Sequence, residues 1–516
     1  MATKGRAALV PVRSAFTAAF LSFLLPGLGH AYLRRWLRAA MWVALPIAAL
    51  VAGAGLVAST GLKATAASLL DADVLTTALL LIAFDALYRL AAVLDAWRLA
   101  RDPLIGTGRT RTASSLGVVL IVAVIVGSHA AAAMPIRFAQ DTLDVFDGGG
   151  DTSAVPDIGE LPRRLQDIVS ATPPPRADRS APASRSTDAP STPEPTIEPW
   201  NPNKRLDILL VGIDSGRPGE TTYLTDTMMV VSIHPKSGRM ALISLPRDTV
   251  DVPLPRTAEF AKARRVFGNA YGSRINSLYI TARLRDDLFP GNDSHRGYKA
   301  LMGALSELYG LDIGHYVAVD LNSFRGAVNA FGGLTLDVQL PLYDPGYSAS
   351  DGRGHIKLYI PPGIQVMNGQ DALAYARSRK TTSDFDRAAR QQFVVDQLRD
   401  QLDLDSLLEP GTIGALRQQF EEHVTTNIPR KMLPQLALLA TELDTSQPVS
   451  LVLSPEKGYG TTQADYDIKP NVSKIRRAVR NVFRNASKSS TPIPAASPEP
   501  LPTASASSAS SPPTEP

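Results

Sequence analysis

The chain has 516 residues, 53 of them Lys or Arg and 49 Asp or Glu, giving a net charge of +4. That is too long for one ordinary domain and too evenly charged for composition alone to imply nucleic acid. There is no cysteine, which excludes disulfides, zinc knuckles, iron–sulfur clusters and a thiol nucleophile.

The first 135 residues read as membrane. Stretches at about 39–59, 74–94 and 115–134 are each apolar over the roughly 20 residues that a bilayer crossing requires. An earlier apolar segment, 14–33, carries Pro26, Gly27, Gly29 and His30 near its end. Basic residues lie on both sides of it: Lys4, Arg6 and Arg13 before, Arg34, Arg35 and Arg38 after. Arg98, Arg101, Arg109 and Arg111 separate the last two spans, whereas 60–73 holds only Lys63 and two aspartates. The positive-inside rule puts the basic groups inside and 60–73 outside. The early segment is then re-entrant or interfacial, and three crossings leave everything after Met134 outside the cell.

Residues 136–204 read as a Pro/Ser-rich disordered linker, exemplified by "TPPPRADRSAPASRSTDAPSTPEPTIEP", and 486–516 as a similar tail. Residues 205–485 are the globular candidate. "LDILLVGI" is a short apolar run, as for a strand buried on both faces. "TMMVVSIH" and "RMALISL" come next as strands joined by the turn "PKSG". "YKALMGALSELYG" has helical spacing and stops at a glycine. "HYVAVDL" reads as a strand, "SFRGAVNAFGG" as a helix and "LTLDVQL" as a strand. "SDFD" forms a capping box, Ser383 with Asp386, that opens a long helix. A sheet covered by helices, class α/β, is the simplest assembly.

Asp214 lies just past the first buried strand and Asp226 at the mouth of the next. If those strands are neighbours, two converging carboxylates suit Mg²⁺, or Mn²⁺ as the alternative, with places left for substrate phosphates. Taken singly, each aspartate is an ordinary turn residue. "SLPRDT" places Arg247 and Asp248 after the third strand. "YARSRKTTSDFDRAARQQ", 375–392, gathers Arg377, Arg379, Arg387 and Arg390 with no glutamate. Arg377 and Arg379 share a face on an extended chain, and Asp384, Arg387 and Gln391 share a helical stripe. Arginine forks match phosphate oxygens bidentately, so the segment reads as a pyrophosphate clamp. Lys262, Arg264 and Arg265 read as a solvated loop, while Arg274 with Asn276 is kept as a substrate-binding candidate, together with Arg390. No G-x-x-x-x-G-K-[ST], H-E-x-x-H or G-x-S-x-G motif occurs.

"DILLVGID", "TDTMMVVSIHP", "ISLPRDT", "RIN", "YVAVDLNSF…AVNAFGGLTLDV" and "MNGQDALAYARSR…SDFDRAARQQ" occur in that order. Together they resemble the LytR-CpsA-Psr family of bacterial cell-wall ligases over about 206–392. The resemblance implies an α/β/α sandwich with a mixed central sheet, anchored in the plasma membrane with the catalytic domain outside. It implies an Mg-dependent phosphotransferase, with pyrophosphatase side activity, that moves an anionic glycopolymer from a polyprenyl-pyrophosphate carrier to peptidoglycan. By position the metal aspartates match Asp214 and Asp226. The pyrophosphate contacts match Arg247, Arg377, Arg379, Arg387 and Gln391, with Asp384 as their carboxylate. Asp384 is either the base for the acceptor's proton or an orienter of Arg387 and Arg379. One departure stands out: Leu224 occupies the place of a family arginine, with Arg217 or Arg274 as the replacements to consider. Two other readings compete, a non-catalytic binder of lipid pyrophosphates or wall polymer, and a transcription regulator. The last lacks a helix-turn-helix or basic recognition helix, so no nucleic-acid partner is expected.

Overall fold

In the computed structural model, residues 13–101, 111–143, 158–161, 163–172, 204–214, 223–291, 295–379, 382–401, 424–443 and 448–484 are described. They fall into two units.

The first unit is helical: α1 Ala15–Leu24, α2 Leu28–Tyr32, α3 Trp36–Thr60, α4 Leu62–Ser68, α5 Ala72–Ala100 and α6 Arg111–Leu143. Trp36–Thr60, Ala72–Ala100 and Ser115–Asp141 are long and apolar enough to cross a membrane. Their outer faces carry bare apolar side chains such as Leu37, Leu50 and Leu116. α1, with 10 residues, is about 15 Å long at 1.5 Å per residue, half a hydrocarbon core. It packs through Ala18 and Ala19 against Val93, Ala96, Val118 and Ile121. Gly27, in the left-handed region at φ 100°, makes the turn into α2, and a Cβ there would meet the Ala39 carbonyl at 2.6 Å. Two ionic groups are built into this unit. Asp85 contacts Arg89 Nε at 2.7 Å and His129 Nε2 at 2.9 Å. Asp95 contacts His30 Nε2 at 2.9 Å and Trp42 Nε1 at 3.2 Å.

The second unit begins inside the segment expected to be unstructured. Helix α7, Arg163–Val169, lies in the 136–204 stretch. The central sheet uses β1 Leu206–Ile213, β2 Thr225–His234 and β3 Arg239–Ser244. Beyond it come β4 Val252–Pro253, α8 Ala261–Phe267, β5 Ala270–Tyr271, α9 Leu278–Leu284 and α10 Arg296–Tyr309. Next are β6 His315–Val319, α11 Leu321–Ala330, β7 Leu334–Val338, β8 Leu342–Ser348, β9 His355–Ile360 and β10 Gly363–Met367. The rest are α12 Gly369–Arg377, α13 Asp384–Gln401, β11 Val424–Thr426, β12 Val449–Val452, β13 Gly460–Thr462, β14 Ile468–Pro470 and α15 Val472–Arg480. One further helix, α14 Leu433–Glu442, groups with the first unit. α8 holds Lys262, Arg264 and Arg265, so the basic loop expected there is a helix instead.

The sheet runs β11-β6-β1-β2-β3-β12. β1/β6 and β3/β12 are parallel, while β1/β2, β2/β3 and β6/β11 are antiparallel, so the sheet is mixed. Leu209, Val211, Met228, Val230 and Ile243 share one core with α9, α10 and α15. α13 crosses β3 and β12. There Gln392 Nε2 donates to the Leu242 carbonyl at 3.0 Å and to Ser244 Oγ at 2.8 Å. A smaller core joins β7, β8 and β10 to α12 and α13. The "PKSG" turn is a hairpin with Gly238 at φ 64°.

α15 closes the main core with Ile475 and Val479, both fully buried. Phe483, just beyond it, lies between Arg205 and Arg239, 5.2 and 6.0 Å from the ring centre. Replacing Ile475 with Ala empties a core position and is expected to cost about 2–5 kcal/mol. Chemical denaturation of the wild-type and Ile475→Ala chains measures this, and an unchanged midpoint would show that α15 is a peripheral element.

Candidate functional site

The site forms where β1 and β3 end and β2 begins. Register places Gly212 opposite Thr227 but Ile213 opposite Thr225, so Asp226 is the extra residue of a β-bulge. A bulge re-aims its side chain and sharpens the local twist. Gly212 permits the close crossing, because a Cβ there would lie 2.9 Å from Thr227 Cβ. Asp214 comes directly after β1, its amide donating to the Leu224 carbonyl at 3.0 Å. The two aspartates expected to converge are therefore on neighbouring, cross-paired strand ends.

Each of these carboxylates meets an arginine. Arg377 Nη2 lies 3.3 Å from Asp214 Oδ1, and Arg247 Nη1 lies 2.9 Å from Asp226 Oδ1. Arg247 is the hub. Its Nε is also 3.4 Å from Asp384 Oδ2 and 3.7 Å from Asp248 Oδ2. Burial by itself would favour its neutral form, but the carboxylates of Asp226, Asp384 and Asp248 outweigh that and raise its pKa. Arg387 Nη2 reaches Asp384 Oδ1 at 3.5 Å, and burial lowers its pKa.

Asp248 and Asp384 share a hydrogen bond. Burial, then that bond, raises the Asp248 pKa. For Asp384 burial also pushes upward, but Arg387 and Arg247 prevail and lower it. Asp248 is thus the carboxyl of the pair that holds a proton more readily, and Asp384 the one that stays ionised. A carboxylate held low between two guanidiniums is a weak proton acceptor and a good orienter.

The segment 375–392 folds as α12, a short turn, then α13. Ser383 caps α13 as expected, its Oγ accepting from the Asp386 amide at 3.1 Å while Asp386 Oδ2 accepts from the Ser383 amide at 2.9 Å. Arg390, expected to touch substrate, turns inward instead. It donates to the Tyr375 carbonyl at 2.9 Å, to the Ser378 carbonyl, and to Thr382 Oγ1 at 3.2 Å. Burial brings its pKa down to about 10. A guanidinium at 5% exposure needs acceptors, and the free carbonyls at the C-terminus of α12 supply them. Arg390 therefore ties α12 to α13 across the turn. Asn276 is buried; its backbone amide donates to the Arg247 carbonyl at 3.4 Å, and its backbone carbonyl accepts from Thr225 Oγ1 at 3.2 Å. Arg379 is exposed beside the cluster. Gln391 Nε2 lies 3.4 Å from the Ala376 carbonyl. Arg274 binds Asp248 Oδ1 at 2.8 Å and Asp467 Oδ1 at 2.5 Å, so it belongs to the carboxylate network. Arg217 lies outside the described residues.

Several participants carry no local signal. Tyr347 of β8 stands under Arg377, 5.8 Å from ring centre to guanidinium. Asp344, buried in the same strand, accepts from Ser378 Oγ at 2.9 Å and from the Arg379 amide at 3.3 Å. Asp467 holds Arg274 from 193 residues away.

Helix α7 docks at the edge of the same site. Leu161, Leu165 and Val169 pack against Leu224 and Leu284. Arg285 Nη1 caps the helix, donating to the Val169 and Ala171 carbonyls at 2.8 Å each. Arg164 Nη2 is 3.4 Å from Asp467 Oδ2. Leu224, the departure from the family pattern, is thus a packing residue beneath α7.

As for a cation, no group of three or more His, Cys, Asp or Glu residues with metal-site geometry exists among the described residues. The pair Asp214 and Asp226 offers hard oxygen donors on adjacent strand ends. That fits an ion bound by one or two carboxylates and completed by substrate phosphate.

The family model described as "LytR_cpsA_psr family" matches residues 176–470, more than half of the chain. The chain belongs to this family. Among its relatives, a polyisoprenyl-teichoic acid–peptidoglycan teichoic acid transferase, TagV of Bacillus subtilis, is 28% identical over 229 residues, 44% of this chain and 50% of TagV. The cell wall biosynthesis protein LcpA of Corynebacterium glutamicum is 27% identical over 232 residues, 41% of this chain and 42% of LcpA. The matches thus span about half the length of these curated relatives. The crystal structure of B. subtilis TagV aligns over 55% of this chain and 98% of TagV, at 24% identity and a TM-score of 0.40.

This geometry makes two predictions. Asp248 has a folded pKa above the ordinary aspartate value of 3.8. Its contribution to stability is therefore full below about pH 3.8 and is lost as pH rises through the folded value. Asp248→Asn keeps a neutral hydrogen-bonding group, so it is expected to match or exceed wild type in melting temperature at pH 8. A lower melting temperature there would mean that Asp248 is stabilised as an anion. Leu165→Asp places a charge in the α7 contact and is expected to expose the Leu224 surface. Hydrogen exchange should then quicken at 163–172 and 223–226, with the rest of the central strands unchanged.

Proposed function

We propose that the chain is a membrane-anchored phosphotransferase that moves an anionic glycopolymer from a polyprenyl-pyrophosphate carrier onto a peptidoglycan hydroxyl, leaving a phosphodiester. The observation that carries this reading is the convergence of Arg247, Arg377 and Arg387, from three different elements, on a strand end that holds Asp214 and Asp226. The activity for which TagV is named, polyisoprenyl-linked teichoic acid transfer to peptidoglycan, supports it.

In this reading the acceptor hydroxyl attacks the phosphorus next to the polymer, the bond to the prenyl phosphate breaks, and the hydroxyl's proton passes to the released prenyl phosphate or to water. Little covalent chemistry falls to the protein, so positioning and charge neutralisation dominate. Arg377, Arg387 and the exposed Arg379 bind non-bridging oxygens. Arg247 stabilises the charge that grows on the departing phosphate. Asp384 and Asp248 hold Arg247, Arg387 and Arg274 in place. Asp214 and Asp226 would hold Mg²⁺ or Mn²⁺, which supplies Lewis-acid neutralisation of the pyrophosphate. The second reading, a non-catalytic binder at the same pocket, draws on Leu224, where a phosphate-binding arginine is expected and an apolar contact is found.

Turnover separates the two. The full chain in detergent is incubated with farnesyl pyrophosphate, with Mg²⁺ or with EDTA. Release of phosphate or farnesyl phosphate should need the metal and fall by about 100-fold or more in Asp226→Ala and Arg377→Ala. Tight binding without any metal-dependent release, with or without a muropeptide acceptor, would establish the binder.

A further inference from the structure

The membrane unit contains more than an anchor requires. An anchor needs apolar length, whereas ionisable residues within spans are costly and mark sites. At one end of this unit, between the first turns of α3 and the last turns of α5, lies a cleft of about 760 Å³. Arg38 and Arg98 lie at one end of its lining, and Met41 and Trp42 on α3, with Leu94 and Tyr88 on α5, continue it along the two helices. Tyr88 precedes Arg98 by ten residues on one helix, which places it about 15 Å along the axis. The cleft is thus cationic at one end and mainly apolar along its length.

Its polar wall is rigid. Asp95 accepts from Trp42 Nε1 at 3.2 Å and is hydrogen bonded to the fully buried His30 Nε2 at 2.9 Å. Tyr88 donates its hydroxyl to the Trp42 carbonyl at 2.8 Å. The Trp42 ring is stacked 6.0 Å from His30 and sits 5.0 Å from Tyr88. The Asp95 charge is spent on these partners, and only a 3.5 Å contact reaches Arg38 Nη1. Arg98 is exposed, and its side chain makes no hydrogen bond or ion pair to another described residue. Two arginines over an apolar, aromatic slot present an unmet demand for an anion attached to a hydrocarbon chain.

We propose that this cleft is a binding site for a lipid bearing a phosphate with no cation of its own, the headgroup on Arg38 and Arg98 and the chain along Trp42, Tyr88 and Leu94. The competing occupant is a choline headgroup, which an aromatic pair beside an aspartate also suits. The two arginines and the prior engagement of Asp95 oppose it. Two sources offer the shared chemistry, an anionic bilayer phospholipid and a prenyl phosphate. The site is independent of the chemistry proposed for the strand-end cluster.

The test uses the full chain, delipidated in detergent, and native mass spectrometry with three probes: phosphatidylglycerol, phosphatidylcholine and farnesyl phosphate. Phosphatidylglycerol or farnesyl phosphate should be retained and phosphatidylcholine should not. The stronger of the first two identifies the source. Arg38→Gln with Arg98→Gln should weaken retention roughly tenfold or more, as expected for two phosphate-facing arginines. Arg38→Lys with Arg98→Lys should restore much of it. Arg34→Gln with Arg35→Gln, just before α3 in the same basic run as Arg38 but outside the cleft, should leave it unchanged. Arg98→Gln alone, at an exposed and unpaired residue, serves if the double variant does not fold. Equal retention of phosphatidylcholine, or an equal loss in the Arg34/Arg35 variant, would overturn the proposal.

Discussion

Burying a guanidinium is tolerable only when carboxylates meet it, and the site rests on how Arg247 satisfies that demand. Its partners come from separate places: Asp226 from the bulge in β2, Asp248 from its own loop, and Asp384 from the first turn of α13. Removing Asp226 or Asp384 leaves charge stranded in a low-dielectric setting, which costs more than the intact pairing contributes. The loop after β3, the mouth of β2 and the start of α13 are therefore held in one arrangement by a single side chain. Gln392, just over one helical turn beyond Arg387, adds the mechanical fix by bonding α13 to the edge of β3 and to Ser244. The result is a preorganised set of cations rather than a flexible basic patch.

Much of this was legible in the sequence, and the reason is local. β1, β2 and β3 announce themselves by apolar runs and a Gly-containing turn. α13 announces itself by a reciprocal Ser383–Asp386 cap. Asp214, Asp226 and Arg247 stand out because each sits within a few residues of a strand end. What escaped depends on tertiary direction. Arg387 and Arg390 are the same residue type, three positions apart on one helix. One meets Asp384 while the other satisfies backbone carbonyls, and no periodicity separates those fates. Tyr347, Asp344 and Asp467 reach the site across long separations from positions that look like ordinary strand or turn residues. α7 is a different case. Leu161, Leu165, Ile168 and Val169 repeat at helical spacing, so a signal existed, but the Pro- and Ser-rich composition around it drew the segment into the linker.

Leu224 illustrates how a change at one position is read differently in isolation and in context. As a missing arginine it suggests a weakened site. In the fold it is half of an apolar contact, the other half being a helix that lies before the start of the family match. The apolar side chain at 224 goes with the docking of α7, and Arg164 brings a cation to Asp467 along with it. Leu224 and α7 are best regarded as one feature, because neither makes physical sense without the other.

The bulge at Asp226 has a further consequence, for what lengths of chain this site can tolerate. A strand alternates faces with every residue, so one extra residue works as a phase shifter. From Thr227 onward β2 keeps one alternation, and before Asp226 it keeps the other. Substitution at 226 would change chemistry at one point. Deleting it would invert the facing of all that precedes it: Leu224 would turn away from α7, and the bond from the Asp214 amide to the Leu224 carbonyl would lose its register. Among descendants of this sequence, the short run from Tyr223 to Thr227 should therefore keep its length.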